Sequence, residues 1–287
     1  MSGRSFLPKL TGSFSHPAGD NPTVVMMEAA YRHHGLDFRY INMEVGPEAE
    51  GLADAVRGAK AQGYVGFNCS LPHKVEVIQY LDGLGESASL IGAVNCVVKQ
   101  ADGRWIGENT DGKGFLSSLK GVIDPAGLHV ALLGAGGAAR AIAVELALAG
   151  VSELTLVNRS EARGAKLAEH LRQNTAMKVN FCGWSESFVV PGGVGVLVNA
   201  TSIGLAPDGE AMPDVDLNSF REGLVVADVI PNPPHTRFLR EARSRGCVTL
   251  DGLGMLVNQG AANMDYWTGV KPDLAVMKAV LTEIFGL

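Results

Sequence analysis

Cysteines and long apolar segments are scarce in this chain, and both absences exclude classes of protein. The 287 residues contain four scattered cysteines and no CxxC pair, which favours reduced thiols over disulfides or a zinc site. No apolar run reaches the roughly 18 residues of a membrane-spanning helix. The N-terminus "MSGRSFLPKLTG" lacks the apolar core of a signal peptide. We therefore expect a cytoplasmic protein with no membrane partner.

Basic residues are also too few for a nucleic-acid-binding protein. Lysine and arginine total 24 against 30 aspartates and glutamates, for a net charge of -6, whereas nucleic-acid binding normally requires a basic excess. The seven histidines show no HExxH spacing, so no metal site is expected. The chain does have 46% hydrophobic residues, which is enough for packed cores in two domains.

Strand-like and helix-like segments alternate along the chain, which is typical of βαβ units and parallel sheets. A domain boundary is expected between residues 112 and 127, and a two-domain α/β enzyme would place its site in the cleft between the domains. Strands are expected near residues 6–12, 37–44, 63–68, 128–133, 153–157, 194–198 and 224–228. Helices are expected over residues 22–34, 48–61, 74–81, 137–149 and 160–172, and near 236–245, 254–267 and 273–285.

The strongest single motif is "HVALLGAGGAARAIAVELALAG". A buried strand runs into Gly134, Gly136 and Ala139, the GxGxxA form of the dinucleotide-binding fingerprint, and then into an alanine-rich helix. Gly134 permits the tight turn, Gly136 lets a pyrophosphate approach the backbone, and the helix N-terminus offers free N–H groups. Gly137 and Ala138 complete the expected cofactor loop. The alternative is a glycine-rich turn in a nucleotide-free α/β domain.

The second strand of this unit ends in "VNRSEARG", which bears on the choice of cofactor. NAD-binding folds usually place Asp or Glu here to bind the ribose 2′-OH. This chain has Asn158, Arg159, Ser160 and Arg163 instead, and guanidinium groups with a hydroxyl suit a 2′-phosphate. The sequence therefore predicts NADP over NAD, unless the arginines only solvate the first turn of a helix.

Hydride chemistry on a carbonyl or an alcohol also requires a group that handles the proton. The N-terminal half supplies two candidates on turn-like segments: Lys74 follows "NCSLPH", and Asp111 lies in "GENTDGKGF". Each alone has an ordinary explanation, since a lysine at a helix start is usually a solvated surface charge. Beside a dinucleotide fold, the two together suggest an acid–base pair that faces the nicotinamide.

Eight segments in order resemble the shikimate dehydrogenase family: "NCSLPHK", "IGAVN", "GENTDGKGF", "GAGGAARA", "VNRS", "VNATSIGL", "ADVIPNPPHT" and "DGLGMLVNQGA". The resemblance extends over nearly the whole chain. It implies an NADP-dependent oxidoreductase that interconverts shikimate and 3-dehydroshikimate, or does the same to a related cyclic polyol such as quinate. It also implies a substrate-binding α/β domain at residues 1–111 plus 254–287, and a Rossmann domain at residues 112–253.

The resemblance also implies roles for individual residues. Lys74 would exchange a proton with the substrate oxygen, and Asp111 would orient the ammonium and share a substrate hydroxyl. Ser70 stands where the family has a threonine. Polar positions that hold the ring hydroxyls match Asn68, Asn95 and Gln259, while Thr201, Gly252 and Met255 match the region of the nicotinamide.

Two departures from the family pattern concern the substrate's acid end. The two serines of an "SxSP" stretch, which hold the substrate carboxylate, correspond to Gly19 and Asn21, with Asp20 between them. The tyrosine of "DxxYxP" corresponds to Pro231. Either the substrate has an altered or absent carboxylate, or Asn21 and backbone N–H groups bind shikimate's carboxylate. A non-catalytic NADP-binding regulator and a folate-type dehydrogenase are the other functions considered, and a homodimer is one possible assembly.

Overall fold

The computed structural model of the chain describes residues 6–205 and 207–287. The chain divides into two compact units. Unit 1 comprises Met1–Thr110 and Gly260–Leu287, and unit 2 comprises Asp111–Gln259. Helices α4 (Thr110–Lys120) and α8 (Gly252–Thr268) contain these two boundaries, and the boundaries predicted after residues 111 and 253 lie within the same two helices.

Unit 1 is built on a mixed sheet in the order β2-β1-β3-β5-β6-β4. The pairs β1–β2, β1–β3 and β4–β6 are parallel, whereas β5 runs antiparallel to both β3 and β6. The strands are β1 (Lys9–Ser15), β2 (Phe38–Glu44), β3 (Gly66–Cys69), β4 (Gly83–Leu84), β5 (Cys96–Lys99) and β6 (Trp105–Glu108). The prediction missed β4, β5 and β6 because strands of two to four residues are too short to show a periodic pattern.

Strand β1 lies three residues further along the chain than expected. It pairs with β2 from Lys9 opposite Phe38 to Ser15 opposite Glu44, whereas the sequence predicts a strand over residues 6–12. The predicted strand ends before the small polar residues Ser13 and Ser15. They are buried within β1, because pairing with two parallel neighbours, and not side-chain polarity, decides where a central strand ends.

Helices cover the unit 1 sheet, and α9 packs against α1. They are α1 (Thr23–His33), α2 (Ala49–Ala61), α3 (Glu86–Ile91) and α9 (Leu274–Phe285). The core contains a run of aromatic rings in which Phe67 lies 4.5 Å from Phe14 and 5.6 Å from Trp105, centroid to centroid. Because β1 runs parallel to both β2 and β3, the carboxyl ends of these three strands lie at one edge of the sheet.

The helix predicted over residues 74–81 is wrong in type. The chain forms a turn through Lys74 and then a short 3-10 helix, Glu76–Tyr80. In an α-helix the carbonyl oxygen of Lys74 would accept the N–H of Ile78, four residues later. Instead it accepts a 2.7 Å hydrogen bond from the N–H of Val94. A tertiary hydrogen bond therefore replaces the helical one at this position.

Unit 2 contains a parallel sheet in the order β12-β11-β10-β7-β8-β9. Numbered from β7, this is the 3-2-1-4-5-6 order of a dinucleotide-binding fold read from the opposite edge. The strands are β7 (His129–Leu133), β8 (Glu153–Asn158), β9 (Lys178–Gly183), β10 (Val194–Asn199), β11 (Val225–Asp228) and β12 (Val248–Leu250). The two edge strands, β9 and β12, escaped prediction because edge strands are short or partly polar.

Three further helices complete unit 2: α5 (Gly137–Leu148), α6 (Glu161–Asn174) and α7 (Arg237–Ser244). Helix α5 follows β7 directly and is buried along most of its length. Apolar residues of β7, β10 and β11 fill the centre of the sheet, with Val130, Leu132 and Val226 fully buried. The turn between β7 and α5 is therefore flanked by a buried strand and a largely buried helix.

Candidate active site

Polar side chains collect at one edge of the unit 1 sheet. Ser13 of β1 lies in register with Asn42 of β2 on one side and with Asn68 of β3 on the other. Because β5 runs antiparallel to β3, its start lies at the same edge, with Cys96 opposite Asn68. The carboxyl ends of parallel strands are where α/β proteins bind ligands, so we take this edge as the candidate substrate site and call it the polar edge.

Asn68 is buried at the centre of the polar edge, and both ends of its amide have protein partners. Its Oδ1 accepts a 2.8 Å hydrogen bond from the Tyr40 hydroxyl, and its Nδ2 donates to the carbonyl oxygen of Asn95 at 2.8 Å. Burial raises the pKa of Tyr40 well above its ordinary value, so the phenol keeps its proton and stays a donor. Asn68 thereby ties β2, β3 and the start of β5 together.

Asn95 is buried and fixes the start of helix α4. Its Oδ1 accepts the backbone N–H of Thr110 at 2.6 Å, and its Nδ2 donates to the Thr110 hydroxyl oxygen at 3.0 Å. That hydroxyl in turn donates to Oδ1 of Asn263, which is fully buried, at 2.8 Å. The sequence suggested that Asn95 binds substrate. In the structure its side chain holds Thr110, the residue immediately before Asp111.

Lys74 lies in the turn that follows β3, and the turn is anchored on both sides. The ring Nε2 of His73 is 2.8 Å from the carbonyl oxygen of Val45, and the Lys74 carbonyl accepts the Val94 N–H. Burial raises the pKa of the Cys69 thiol, and the positive charge of Lys74 partly opposes that effect. The half-buried residue Lys74 is therefore held by its main chain in the turn after β3.

Consecutive residues thus bind the two segments that carry the predicted acid–base pair. Val94 binds the main chain of Lys74, and Asn95 binds Thr110. Asp111 follows Thr110 in the first turn of α4, where the helix dipole stabilises a carboxylate. Ser70 is half-buried in the Lys74 turn, and its N–H donates to the carbonyl of Phe14 at 2.9 Å.

Ser13, Asn21 and Asn42 form a hydrogen-bonded network at the positions where the family resemblance predicts binding of a substrate carboxylate. The Ser13 hydroxyl donates to Oδ1 of Asn42 at 2.9 Å and accepts from Nδ2 of Asn21 at 3.3 Å. Nδ2 of Asn42 donates to the carbonyl oxygens of Ala18, at 3.3 Å, and Asn21, at 2.9 Å. Oδ1 of Asn21 accepts the N–H of Thr23 at 3.0 Å. Loop 16–21 is therefore bound to β1 and β2 by side chains, and Asn42 is the residue that the sequence did not single out.

The glycine loop of unit 2 has the geometry that a dinucleotide requires. Gly134 has a φ of +110°, and a Cβ there would lie 2.9 Å from the carbonyl oxygen of Ala200, so only glycine fits. At Gly136 and Gly137, by contrast, a Cβ would meet no protein atom within 4 Å. Gly136 caps α5 without any side-chain hydrogen bond, which leaves the N–H groups of the first turn available to an anion. Ala138 follows, half-buried, in the same turn.

The residues predicted to select NADP lie at the end of β8 and the start of α6. Asn158 is buried, and its Nδ2 donates to the carbonyl of Ser160 at 2.8 Å, while the Ser160 hydroxyl caps α6 by accepting the Arg163 N–H at 3.4 Å. Arg159 and Arg163 are exposed at this helix N-terminus. Two guanidinium groups beside a helix N-terminus fit the chemistry of a phosphate.

The remaining predicted residues of unit 2 lie after β10 and at the start of α8. The Thr201 hydroxyl donates to Oδ1 of Asn199 at 2.7 Å. Gly252 is buried against the backbone of Ile230, where a Cβ would overlap it, so this glycine serves close packing. Met255 and Gln259 lie further along α8, the former half-buried and the latter buried.

Asp228 of β11 is buried, and burial raises its pKa from 3.8 to about 6. The folded chain therefore holds the proton more tightly than the unfolded chain. The stabilisation from this site is full below about pH 4 and is lost as the pH rises to about 6, a change of about 3 kcal/mol. We expect the free energy of urea unfolding of the parent, minus that of Asp228→Asn, to fall by about 2 kcal/mol between pH 4 and 6.5. The exposed control Asp208→Asn should show no such trend, and a constant difference for Asp228→Asn would contradict the prediction.

Within residues 6–205 and 207–287, no cluster of three or more His, Cys, Asp or Glu side chains is arranged to hold a metal ion. Over the same residues, none of the helices is both long enough and apolar enough to span a bilayer.

Comparison with known proteins places the chain in a family. Three family models match it: the shikimate dehydrogenase substrate binding domain over residues 14–97, shikimate / quinate 5-dehydrogenase over residues 119–186, and the shikimate 5'-dehydrogenase C-terminal domain over residues 252–282. A shikimate dehydrogenase (NADP(+)) of Methanococcus aeolicus is 37% identical over 277 residues, which cover 96% of this chain and 98% of that protein. The chain belongs to the shikimate dehydrogenase family.

Two solved structures extend the comparison of this shikimate dehydrogenase family member. A ligand-free 5-ketofructose reductase of Gluconobacter sp. strain CHM43 is 57% identical with a TM-score of 0.94, covering 98% of this chain and all of that one. A shikimate dehydrogenase in complex with NADP+ is 38% identical with a TM-score of 0.89, covering 97% of this chain and 96% of that one. The predicted family, two-part α/β fold, enzyme class and cofactor are confirmed: the protein is an NADP-dependent oxidoreductase that acts on a CH–OH group.

Proposed function

We propose that this protein reduces an uncharged polyhydroxy ketone of the 5-ketofructose class with NADPH, and catalyses the reverse oxidation of the product alcohol. The observation that carries the substrate proposal is the network of Ser13, Asn21 and Asn42 at the polar edge, where the family resemblance predicts a carboxylate-binding site. The 57% identity to a 5-ketofructose reductase supports the same conclusion.

The network is poorly suited to a carboxylate because its donors are already used. The single hydroxyl proton of Ser13 goes to Asn42, and both amide protons of Asn42 go to backbone carbonyls. Among the described residues, the hydrogen-bonding protons of these three side chains are all used except one amide proton of Asn21. That proton is the donor available to a substrate. A carboxylate needs several donors or a cation, whereas a hydroxyl can both give and receive a hydrogen bond here. The network therefore favours a neutral, hydroxyl-rich substrate.

The charges of loop 16–21 point the same way. Glu44 accepts the N–H of Ala18 at 2.6 Å and pairs with His16 at 2.7 Å, and Asp20 is exposed in the same loop. The carboxylates of Glu44 and Asp20 would repel a substrate carboxylate at neutral pH. A neutral substrate meets no such penalty.

For the chemistry, we propose that Lys74 donates a proton to the substrate carbonyl oxygen and that Asp111 orients its ammonium and binds a substrate hydroxyl. NADPH, when bound, supplies the hydride to the carbonyl carbon. The anchoring of Lys74 and Thr110 by Val94 and Asn95 supports this pairing. A positioned proton donor is worth about 10²–10⁴ in rate.

We further propose residues 1–111 plus 254–287 as the substrate-binding domain and residues 112–253 as the NADP-binding domain. Ser70 and Gln259 would contact substrate, while Asn21, Asn68 and Asn95 would mainly hold the site in shape, since their side chains are already bonded to protein groups. NADP would be bound by the glycine loop and by Asn158, Arg159, Ser160, Arg163 and Thr201. Gly252 and Met255 would line the region of the nicotinamide. A homodimer and a cytoplasmic location stay predictions from the sequence.

Shikimate is the second candidate substrate, favoured by the 37% identity to a shikimate dehydrogenase over almost the whole chain. Steady-state kinetics with NADP(H) on 5-ketofructose, fructose, shikimate and quinate would separate the two. We expect kcat/KM for 5-ketofructose of about 10⁴ M⁻¹s⁻¹ or more, and a preference over shikimate of about 100-fold, because unpaired buried polar groups are costly. Higher kcat/KM for shikimate than for the ketone would overturn the substrate proposal.

The variant Asn42→Ala gives a second, structural test of this substrate assignment. Removal of the amide frees the Ser13 hydroxyl and loosens loop 16–21, so kcat/KM for the ketone should fall about tenfold while the KM for NADPH stays within twofold. Asn218→Ala, on the exposed surface of unit 2, is the matched control. An unchanged ketone kcat/KM in Asn42→Ala would mean that the network does not shape the substrate site.

A further inference from the structure

Two neighbouring strands of unit 2 end in buried polar residues that bond to each other. Asn199 closes β10 and Asp228 closes β11, and the two lie in register. Asn199 is fully buried and Asp228 is 1% exposed. Nδ2 of Asn199 donates to Oδ1 of Asp228 at 3.1 Å. Buried polar side chains are costly unless satisfied, so this pair calls for an explanation.

All the hydrogen-bonding capacity of the Asn199 amide goes to the loop after β10 and to Asp228. Its Oδ1 accepts from the N–H of Thr201 at 3.1 Å and from the Thr201 hydroxyl at 2.7 Å. Its second Nδ2 proton goes to the carbonyl of Ile203 at 3.2 Å. The Thr201 hydroxyl also accepts the Ile203 N–H at 3.1 Å. Asn199 therefore fixes the shape of residues 200–204.

Asp228 connects the same amide to the loop after β11 and to helix α7. Its Oδ1 accepts the Ile230 N–H at 3.2 Å, and its Oδ2 accepts the Thr236 hydroxyl at 2.8 Å. The Thr236 oxygen caps α7 by accepting the N–H of Leu239 at 3.4 Å. One buried cluster thus determines the positions of two loops and one helix start.

The loop held by Asn199 lies against the glycine loop of the cofactor site. A Cβ at Gly134 would be 2.9 Å from the Ala200 carbonyl oxygen and 3.1 Å from the methyl carbon of Thr201. In this strand order β7 and β8 form the half that takes the adenosine of a dinucleotide, and β10 opens the half that takes the nicotinamide. Thr201 therefore lies beside the glycine loop, on the side of the sheet that takes the nicotinamide in this strand order.

We propose that Asn199 and Asp228 are positioning residues that hold Thr201 and its loop against the nicotinamide half of NADP. This inference rests on the proposed cofactor site in unit 2. Neither residue needs to contact the reacting atoms, because both act through the loop that Asn199 binds. A small displacement of the nicotinamide slows hydride transfer without changing how the adenosine half binds.

Three readouts on Asn199→Ala test the inference, with Asn218→Ala as control. We expect kcat to fall about 10- to 30-fold and the primary isotope effect with 4-deuterated NADPH to rise, because hydride transfer becomes slower than the other steps. The dissociation constant for adenosine 2′,5′-bisphosphate should stay within twofold, since it reports only the adenosine half. A fold defect alone would lower the active fraction and leave the isotope effect of the remaining enzyme unchanged.

Two further variants protect the test against misfolding. Thr201→Val removes one hydroxyl from the loop, and Asp228→Asn removes the charge while it keeps an acceptor for Asn199. Because Asn199 acts through Thr201, the double variant Asn199→Ala/Thr201→Val should lose no more kcat than Asn199→Ala alone. Additive losses, or an unchanged isotope effect in Asn199→Ala, would overturn the inference. Absence of NADPH turnover by the parent enzyme with every ketone would count against the proposed function instead.

Discussion

Replacement of Lys74 by alanine should lower kcat for ketone reduction by roughly 10²–10⁴, the usual worth of a positioned proton donor. The dissociation constant for NADPH should not change, because Lys74 belongs to unit 1, whereas the glycine loop, Arg159 and Arg163 belong to unit 2. Stopped-flow measurement of NADPH oxidation at saturating ketone, with fluorescence titration of NADPH, gives both quantities.

Lys74→Arg distinguishes proton transfer from simple charge. A guanidinium keeps the positive charge but does not release its proton at accessible pH, so this variant should lose nearly as much kcat as the alanine variant. Lys99→Ala, at an exposed position of β5, is the matched control and should retain parent kinetics. If Lys74→Arg is almost fully active, the lysine acts only as a charge. If Lys74→Ala loses NADPH binding, the residue has a structural role.

The double variant Arg159→Ala/Arg163→Ala should lose about 10²–10⁴ in kcat/KM for NADPH. Each charge-assisted hydrogen bond between an arginine and the phosphate contributes about 1.5–3 kcal/mol of binding free energy. The loss of two such contacts accounts for the expected range in kcat/KM. The kcat/KM for NADH should change little, since NADH has no 2′-phosphate. The ratio of the two kcat/KM values measures the effect directly.

Controls for the cofactor prediction lie in the same unit. Arg237→Ala removes an exposed arginine at the start of α7 and should leave the NADPH to NADH ratio as it is. The single variant Arg159→Ala should raise the KM for NADP with little effect on kcat. If the double variant keeps the parent ratio, the two guanidinium groups only solvate the first turn of α6.

Much of the fold could be predicted because its signals are local. The apolar strand before Gly134, the glycine spacing and the alanine-rich helix after it occur within one stretch of chain, and the structure has a strand, a positive-φ glycine and a helix there. Strands β4, β5, β6, β9 and β12 were not predicted, since each is short or partly polar and forms only against a partner strand. The same reason explains the late start of β1.

The groups available for chemistry can be read from the residues alone: a dinucleotide loop, arginines in place of a ribose-binding carboxylate, a lysine and an aspartate on separate segments, and the loss of two serines that the family resemblance assigns to carboxylate binding. Which polar residues share a site depends on the folded sheets. Asn42 meets Ser13, and Asp228 meets Asn199, across neighbouring strands. Such pairings depend on strand order and register, which arise from the packing of the whole sheet and leave no local pattern in the chain.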